Sequence, residues 1–261
     1  MIPRIIHYCW FGRHPKPALM QKCIASWRKH CPGYEIIEWN EDNYDIAKSP
    51  QYVVQAYKAG KWAFVTDYVR LKVIFEKGGV YFDTDVELEK SIDDLLDYHA
   101  FFCSENGRVV STGLGFGAEA GIECVGKMME DYNTASFTSN IHGNIDGFDM
   151  TTCPVRNTKA LAYLIGDQPE FKEAFVKNGI LFLPRDWFCP LDFSTLFPKY
   201  RTANTRGIHW YSGSWFSEAQ RKQRRHDWVV QIPQRLLMRL LGVQRYTKIK
   251  NSIKRLLGRS Q

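Results

Sequence analysis

The feature that most constrains this chain is a helix that runs directly into a strand and ends on two aspartates. Over Trp62–Lys77 the side chains of Phe64, Leu71, Ile74 and Phe75 recur at helical spacing. Gly78-Gly79 then supplies a stop that tolerates positive φ. Val80-Tyr81-Phe82 is a short apolar strand, and it leads without a break into Asp83-Thr84-Asp85. Upstream, Arg4–Trp10 and Glu35–Trp39 read as strands. Ala18–His30 reads as an amphipathic helix, with Leu19, Cys23 and Trp27 at i, i+4 and i+8, and a further short helix lies between Pro50 and Gly60. Alternating strands and helices predict an α/β sheet, largely parallel. Further strands are predicted at Ala100–Cys103, Leu114–Gly117, Ile180–Leu183 and Gly207–Trp210, and helices at Ile122–Asn133 and Thr158–Ile165. Thr134–Thr152 has no period and reads as a long loop beside a binding site.

Two carboxylates two residues apart at a strand end can approach one divalent cation, and hard oxygen ligands suit Mg²⁺ or Mn²⁺. The carboxyl ends of strands in an open α/β sheet are also where ligands bind. On the preceding helix Asp67 and Arg70 stand at i, i+3 and share a face. A cation there could hold a phosphate or neutralise a leaving diphosphate, whereas a surface Asp67–Arg70 pair would be worth little.

Charge is unevenly spread. The net charge is +7, but Ala219 onward carries twelve Lys or Arg against one acid, Asp227, leaving the first 218 residues at −4. A uniformly basic nucleic-acid binder would look different. In the tail Ile232, Leu236, Leu237, Leu240 and Leu241, and then Ile249, Ile253, Leu256 and Leu257, repeat at helical spacing with cations between them. Pro233 suits a helix start and Gly242 a helix end. Such helices lie on anionic membranes, and the competing expectation is a helical pair packed on the domain. No apolar run approaches the ~20 residues of a membrane span. The N-terminus lacks a secretory signal, which predicts a cytoplasmic chain. Seven cysteines with no Cys-x-x-Cys pair predict reduced, buried thiols rather than a zinc site or a disulfide framework.

Asp67-x-x-Arg70 followed by Gly78-Gly79-x-Tyr81-x-Asp83-x-Asp85 resembles glycosyltransferase family 32. That family includes bacterial capsular-polysaccharide sugar transferases and fungal mannosyltransferases, and its core resembles the glucosylating domain of large clostridial toxins. The opening segment from Ile2 to Gly12 and the late segment from His209 to Trp215 match it as well. The resemblance implies a GT-A type, Rossmann-like nucleotide-sugar-binding fold over residues 1–216, followed by a basic amphipathic helical extension over 217–261. It further implies a retaining transferase that depends on Mn²⁺ or Mg²⁺. This enzyme would move a hexose from a nucleotide-diphosphate sugar, expected to be a uridine one, to a glycan hydroxyl. With the basic tail, the acceptor expected is a lipid-linked oligosaccharide of capsule, O-antigen or other surface polysaccharide synthesis, and the place the inner face of the cell membrane.

Residue by residue, the resemblance implies that Trp10 stacks on the base and that Asn40 lies near the nucleoside. Asp67 and Arg70 hold the sugar or its diphosphate, with Tyr81 beside them. Asp83 faces the ribose or sugar and meets the metal directly or through water, Asp85 binds the metal, and His209 is a further ligand. Ser214 and Trp215 close over the diphosphate. His7 and Tyr8 are expected to serve packing. Where family members often carry Gly-Pro, this chain has Cys153-Pro154, which puts the backbone path there in question; Ser111–Gly115 and Thr151–Pro154 are expected to shape the sugar pocket. Two other readings compete. Asp83-x-Asp85 also looks like the nucleophile motif of haloacid-dehalogenase-type phosphatases, although a downstream acidic pair is lacking. A non-enzymatic membrane- or polyanion-binding protein led by its tail is the third.

Overall fold

The computed structural model describes residues 1–138, 147–167, 169–213, 222–223, 226–227, 229–230 and 232–257. The chain begins with strand β1 (Ile5–Cys9), helix α1 (Ala18–His30) and strand β2 (Glu35–Trp39). Helices α2 (Gln51–Lys58) and α3 (Trp62–Lys77) lead into β3 (Gly79–Tyr81) and β4 (Val86–Leu88). Next come β5 (Ala100–Cys103), β6 (Phe116–Ala118), α4 (Glu123–Thr134), α5 (Cys153–Ala160) and α6 (Ala162–Ile165). Strands β7 (Phe175–Lys177), β8 (Ile180–Leu183) and β9 (Gly207–His209) follow.

Seven strands form one sheet in the order β2-β1-β3-β6-β5-β8-β7, while β4 and β9 make a separate two-stranded ribbon. The pairs β1/β2, β1/β3 and β5/β8 are parallel. The pairs β3/β6, β5/β6 and β7/β8 are antiparallel. The chain is thus an α/β protein whose parallel β2-β1-β3 edge carries the aspartates just beyond the carboxyl end of β3. Strands β4 and β7, absent from the sequence expectations, are three residues each, too short to show a period.

Helix α3 is buried along much of its surface, with Val65, Val69, Leu71, Val73 and Ile74 almost wholly enclosed. It packs against α2, α4 and β1, as a helix apolar on most sides must. It ends at Gly78 and Gly79, with φ of 66° and 105°. A Cβ on Gly79 would lie 2.8 Å from the Ile5 carbonyl oxygen and 2.9 Å from His7 Nε2, so only glycine fits. His7, wholly buried, secures this turn: its Nε2 lies 2.9 Å from the Gly78 carbonyl oxygen, and its Nδ1 accepts from Trp39 Nε1 at 3.0 Å. Burial lowers its pKa to about 4, so the ring stays neutral at physiological pH. Its role is packing, as expected.

Pro17 precedes α1, whose Met20, Cys23, Ile24 and Trp27 are buried; Trp27 Nε1 donates to the Val86 carbonyl at 2.7 Å and fixes β4. All seven cysteines are free and buried, matching the expectation of reduced thiols. Helix α5 starts at Cys153 rather than at Thr158, with Thr152 at its N-cap and proline in the first turn. Cys153 takes ordinary helical backbone, so the glycine expected there is not needed for the chain path.

The chain divides into two compact units, 1–190 with 201–215, and 191–200 with 216–261. In the second, α7 (Ile232–Leu241) and α8 (Val243–Leu257) meet at Gly242, φ 76°. Met238 is buried, while Leu236, Leu240, Ile249 and Ile253 are exposed, Leu240 by 80%.

Candidate functional site

Asp67 and Arg70 are both buried, which excludes the surface ion pair weighed from sequence. Arg70 Nη2 lies 3.1 Å from Asp67 Oδ1 and 3.1 Å from Asp83 Oδ1, so one guanidinium bridges a helix and the strand tip. Its remaining donors are also directed: Nε to the Thr66 carbonyl at 3.1 Å and Nη1 to Cys153 Sγ at 3.6 Å. Tyr81 packs under the guanidinium, 5.0 Å from Arg70 Cζ, and its hydroxyl donates to Asp83 Oδ1 at 3.0 Å. The Asp83 N–H donates to the Gly113 carbonyl at 3.1 Å. A Cβ at Gly113 would lie 2.3 Å from Asp83 Oδ2 and 3.0 Å from Arg70 Nη1. A side chain at 113 would therefore crowd the Asp83 carboxylate and Arg70 and force one of them to shift.

These contacts set the charges. Burial pushes Asp67 up to about 6, with Arg70 pulling down and Asp83 adding to the rise. Burial raises Asp83 too; Arg70 opposes it and Asp85 reinforces it. Burial works against the charge on Arg70, but Asp83, Tyr81 and Asp67 more than offset it and hold the guanidinium charged.

Asp85 sits one residue before β4, and His209 ends β9, directly opposite Val86. His209 Nε2 stands 3.4 Å from Asp85 Oδ1. The Ser212 N–H donates to Asp85 Oδ2 at 2.8 Å, and the Trp210 N–H to the Asp85 carbonyl at 3.0 Å. Burial would raise Asp85, but His209 and the Ser212 N–H outweigh it and keep the carboxyl well below the usual range. Burial disfavours a charged His209, yet Asp85 dominates and raises it. His209 Nδ1 is buried with no well-formed hydrogen bond among the described residues.

The three expected metal ligands thus divide. Asp85 and His209 converge, while Asp83 Oδ1 is turned onto Arg70 and Tyr81. Among the described residues no three His, Cys, Asp or Glu side chains form a ready ligand cluster. The donor chemistry nonetheless suits a divalent cation: the Asp85 carboxylate and the His209 imidazole face each other at 3.4 Å, and the imidazole becomes a ligand when an arriving cation displaces the proton that Asp85 favours on it.

Trp10 directly follows β1 and is half-buried, its indole N–H donating to the His14 carbonyl at 2.6 Å and its ring 5.8 Å from Lys16 Nζ. Asn40 caps its own turn: its side chain accepts from the Asp42 N–H at 2.8 Å and donates to Glu38 at 3.1 Å. Ser214 and Trp215 lie outside the described residues. The residue that sequence reasoning placed least well is Cys153. Sequence alone places it in the pocket-shaping segment Thr151–Pro154 with no individual role, whereas its sulfur meets Arg70 across 83 positions of chain. Thr152-Cys153-Pro154 signals the start of α5 but not the meeting of Cys153 with Arg70.

Residues 17–102 match the model of the glycosyltransferase sugar-binding region containing the DXD motif. That span holds Asp67, Arg70 and Asp83-Thr84-Asp85. Inositol phosphoceramide mannosyltransferase 3 of Schizosaccharomyces pombe is 28% identical over 107 residues, 38% of this chain and 29% of the yeast protein. The uncharacterized glycosyltransferase L373 of Acanthamoeba polyphaga mimivirus is 29% identical over 107 residues, 39% of this chain and 43% of the viral one. The chain therefore spans less than half the length of these curated relatives. Among solved structures, the PaToxG glycosyltransferase superposes with a TM-score of 0.47 at 15% identity, over 62% of this chain and 69% of the other. A glycosyltransferase involved in glycosylation of the PBCV-1 major capsid gives 0.42 at 11%, over 86% and 98%.

Proposed function

We propose that this chain, which carries a DXD-containing glycosyltransferase sugar-binding region over residues 17–102, is a retaining, divalent-metal-dependent hexosyltransferase of GT-A type. Its donor is a nucleotide-diphosphate sugar, best a uridine one, and its acceptor a glycan hydroxyl. The observation that carries this reading is the pairing of two charge systems at one strand tip. Asp67, Arg70 and Asp83 form one, and Asp85 with His209 forms the other.

The main obstacle in such a transfer is charge growing on the departing diphosphate. Asp85 and His209 would hold Mn²⁺ or Mg²⁺, with Asp83 reaching it directly or through water; the bound ion supplies positive charge to the diphosphate. Arg70, oriented by five protein contacts, adds a second fixed positive charge. Asp67 offers its carboxylate to sugar hydroxyls, and Trp10, Asn40, Ser214 and Trp215 complete the donor site. Both carboxylates nearest Arg70 are already engaged by it, which supports same-face attack in which the leaving phosphate oxygen takes the acceptor proton. A trapped glycosyl–enzyme adduct would count against that route.

The acceptor is a lipid-linked oligosaccharide of capsule, O-antigen or related polysaccharide synthesis, met at the inner face of the cell membrane. Supporting this, exposed Leu236, Leu240, Ile249 and Ile253 lie among exposed Arg239, Arg245, Lys248 and Lys250 on α7 and α8. No helix among the described residues is long and apolar enough to cross a membrane. The deciding assay incubates the protein with Mn²⁺ and a panel of nucleotide sugars and follows nucleoside diphosphate release. Release that requires the metal and one class of donor supports the reading. Turnover of phosphomonoesters instead would make the protein a phosphatase, and neither activity would leave a binding protein.

A further inference from the structure

We propose that Tyr211 and Cys189 form a positioning device that holds Asp85 and His209 in place, so that the cation site is built before a cation arrives. The inference rests on the metal-dependent reading above. Ribbon β4/β9 pairs only three residues on each side, and so short a ribbon does not fix its own geometry. Beyond His209 the chain path depends on Tyr211, a non-glycine residue at φ 51°. A residue in the left-handed region costs on the order of 1–2 kcal/mol and persists only where its surroundings over-determine it.

This left-handed backbone has a specific consequence. It directs the Trp210 N–H to the Asp85 carbonyl and the Ser212 N–H to Asp85 Oδ2, so the backbone on both sides of Tyr211 grips one aspartate. The Tyr211 side chain supplies the over-determination. Its hydroxyl lies 2.8 Å from Cys189 Sγ, its ring centroid is 4.4 Å from that of His209, and the residue is 7% exposed. Cys189 is fully buried at the end of a segment that also holds β9: the His209 N–H donates to the Phe188 carbonyl at 3.0 Å and the Gly207 N–H to the Trp187 carbonyl at 3.1 Å. One anchored tyrosine therefore orients an imidazole through its ring and a carboxylate through its backbone. Neither Tyr211 nor Cys189 touches the reacting atoms; both act through the groups that do.

Manganese binding to the whole 261-residue chain without nucleotide, followed by electron paramagnetic resonance, tests the device alongside melting temperature. Partners that orient metal ligands typically govern 10- to 100-fold in affinity. Tyr211→Phe and Cys189→Ala should each weaken Mn²⁺ roughly tenfold, and Cys189→Ser, which keeps a partner for the hydroxyl, should restore most of it. Unchanged affinity in Tyr211→Phe and Cys189→Ala would overturn the device and leave the transferase reading standing. Loss that merely tracks a fall in melting temperature would overturn it too, since the role would then be structural. A wild-type protein that binds no Mn²⁺ would overturn the cation site and the device together.

Discussion

Replacing Arg70 by methionine removes the one charge that lets two carboxylates share a buried corner. The Arg70 side chain is 4% exposed and its Nη2 stands 3.1 Å from both Asp67 and Asp83. At an effective dielectric near 20, an opposite unit charge about 4 Å away is worth about 4 kcal/mol, and breaking a buried pair from one side costs about 3–5 kcal/mol. In a domain of this size each kcal/mol moves the melting temperature by about 2–4 °C, so Arg70→Met should melt roughly 10 °C lower at pH 8. The loss should shrink at pH 5. Asp67 titrates near 6 in the folded protein against 3.8 ordinarily, so the folded state takes up the extra proton and gains stability as pH falls through 6. Without Arg70 that pKa rises further, and more of the stranded charge is neutralised at pH 5. Other titrating groups act on both proteins, so the wild-type-minus-variant difference isolates Arg70. Equal destabilisation at pH 8 and pH 5, or a loss below about 1 kcal/mol, would refute the shared-corner account.

Three further outcomes follow from the same geometry. Gly113→Ala would place a methyl 2.3 Å from Asp83 Oδ2, so it should displace Asp83 from Arg70 and cut donor turnover at least tenfold with little change in circular dichroism; normal turnover would contradict this. His7, with a pKa near 4 when folded against 6.5 ordinarily, contributes stability that is present above pH 6.5 and lost as pH falls toward 4, about 3 kcal/mol in all. Its imidazole proton shift should titrate near 4 by NMR, and a midpoint near 6.5 would disprove the buried neutral ring. Replacing exposed Leu240 and Ile249 by glutamate in the full chain should reduce sedimentation with phosphatidylglycerol vesicles and spare donor hydrolysis, while unchanged sedimentation would remove the tail's membrane role.

Much of this architecture was readable because local chemistry and final structure agree. Helix α1 follows Pro17, α3 stops at Gly78-Gly79, and both occupy the predicted bounds. The Asp67–Arg70 face and the two aspartates were legible because helical period and strand end place them without long-range information. What escaped depends on contacts between distant segments. Cys153 meets Arg70, Gly113 makes room for Asp83, and Cys189 anchors Tyr211, and no spacing in the chain encodes those meetings. The turn of Asp83 onto Arg70 belongs to the same class. A motif of two aspartates says that both can reach a cation, but not that a buried guanidinium competes for one of them.

The central claim is that Asp85 and His209 hold a cation that in turn holds the donor's diphosphate. Calorimetric titration of uridine diphosphate into the wild-type protein and Asp85→Asn, each with and without Mn²⁺, tests it most directly. The wild type should bind far more tightly with Mn²⁺ than without, and Asp85→Asn should lose that difference while keeping its fold. Nucleotide binding that ignores the metal in the wild type, or full metal-dependent binding in Asp85→Asn, would contradict it.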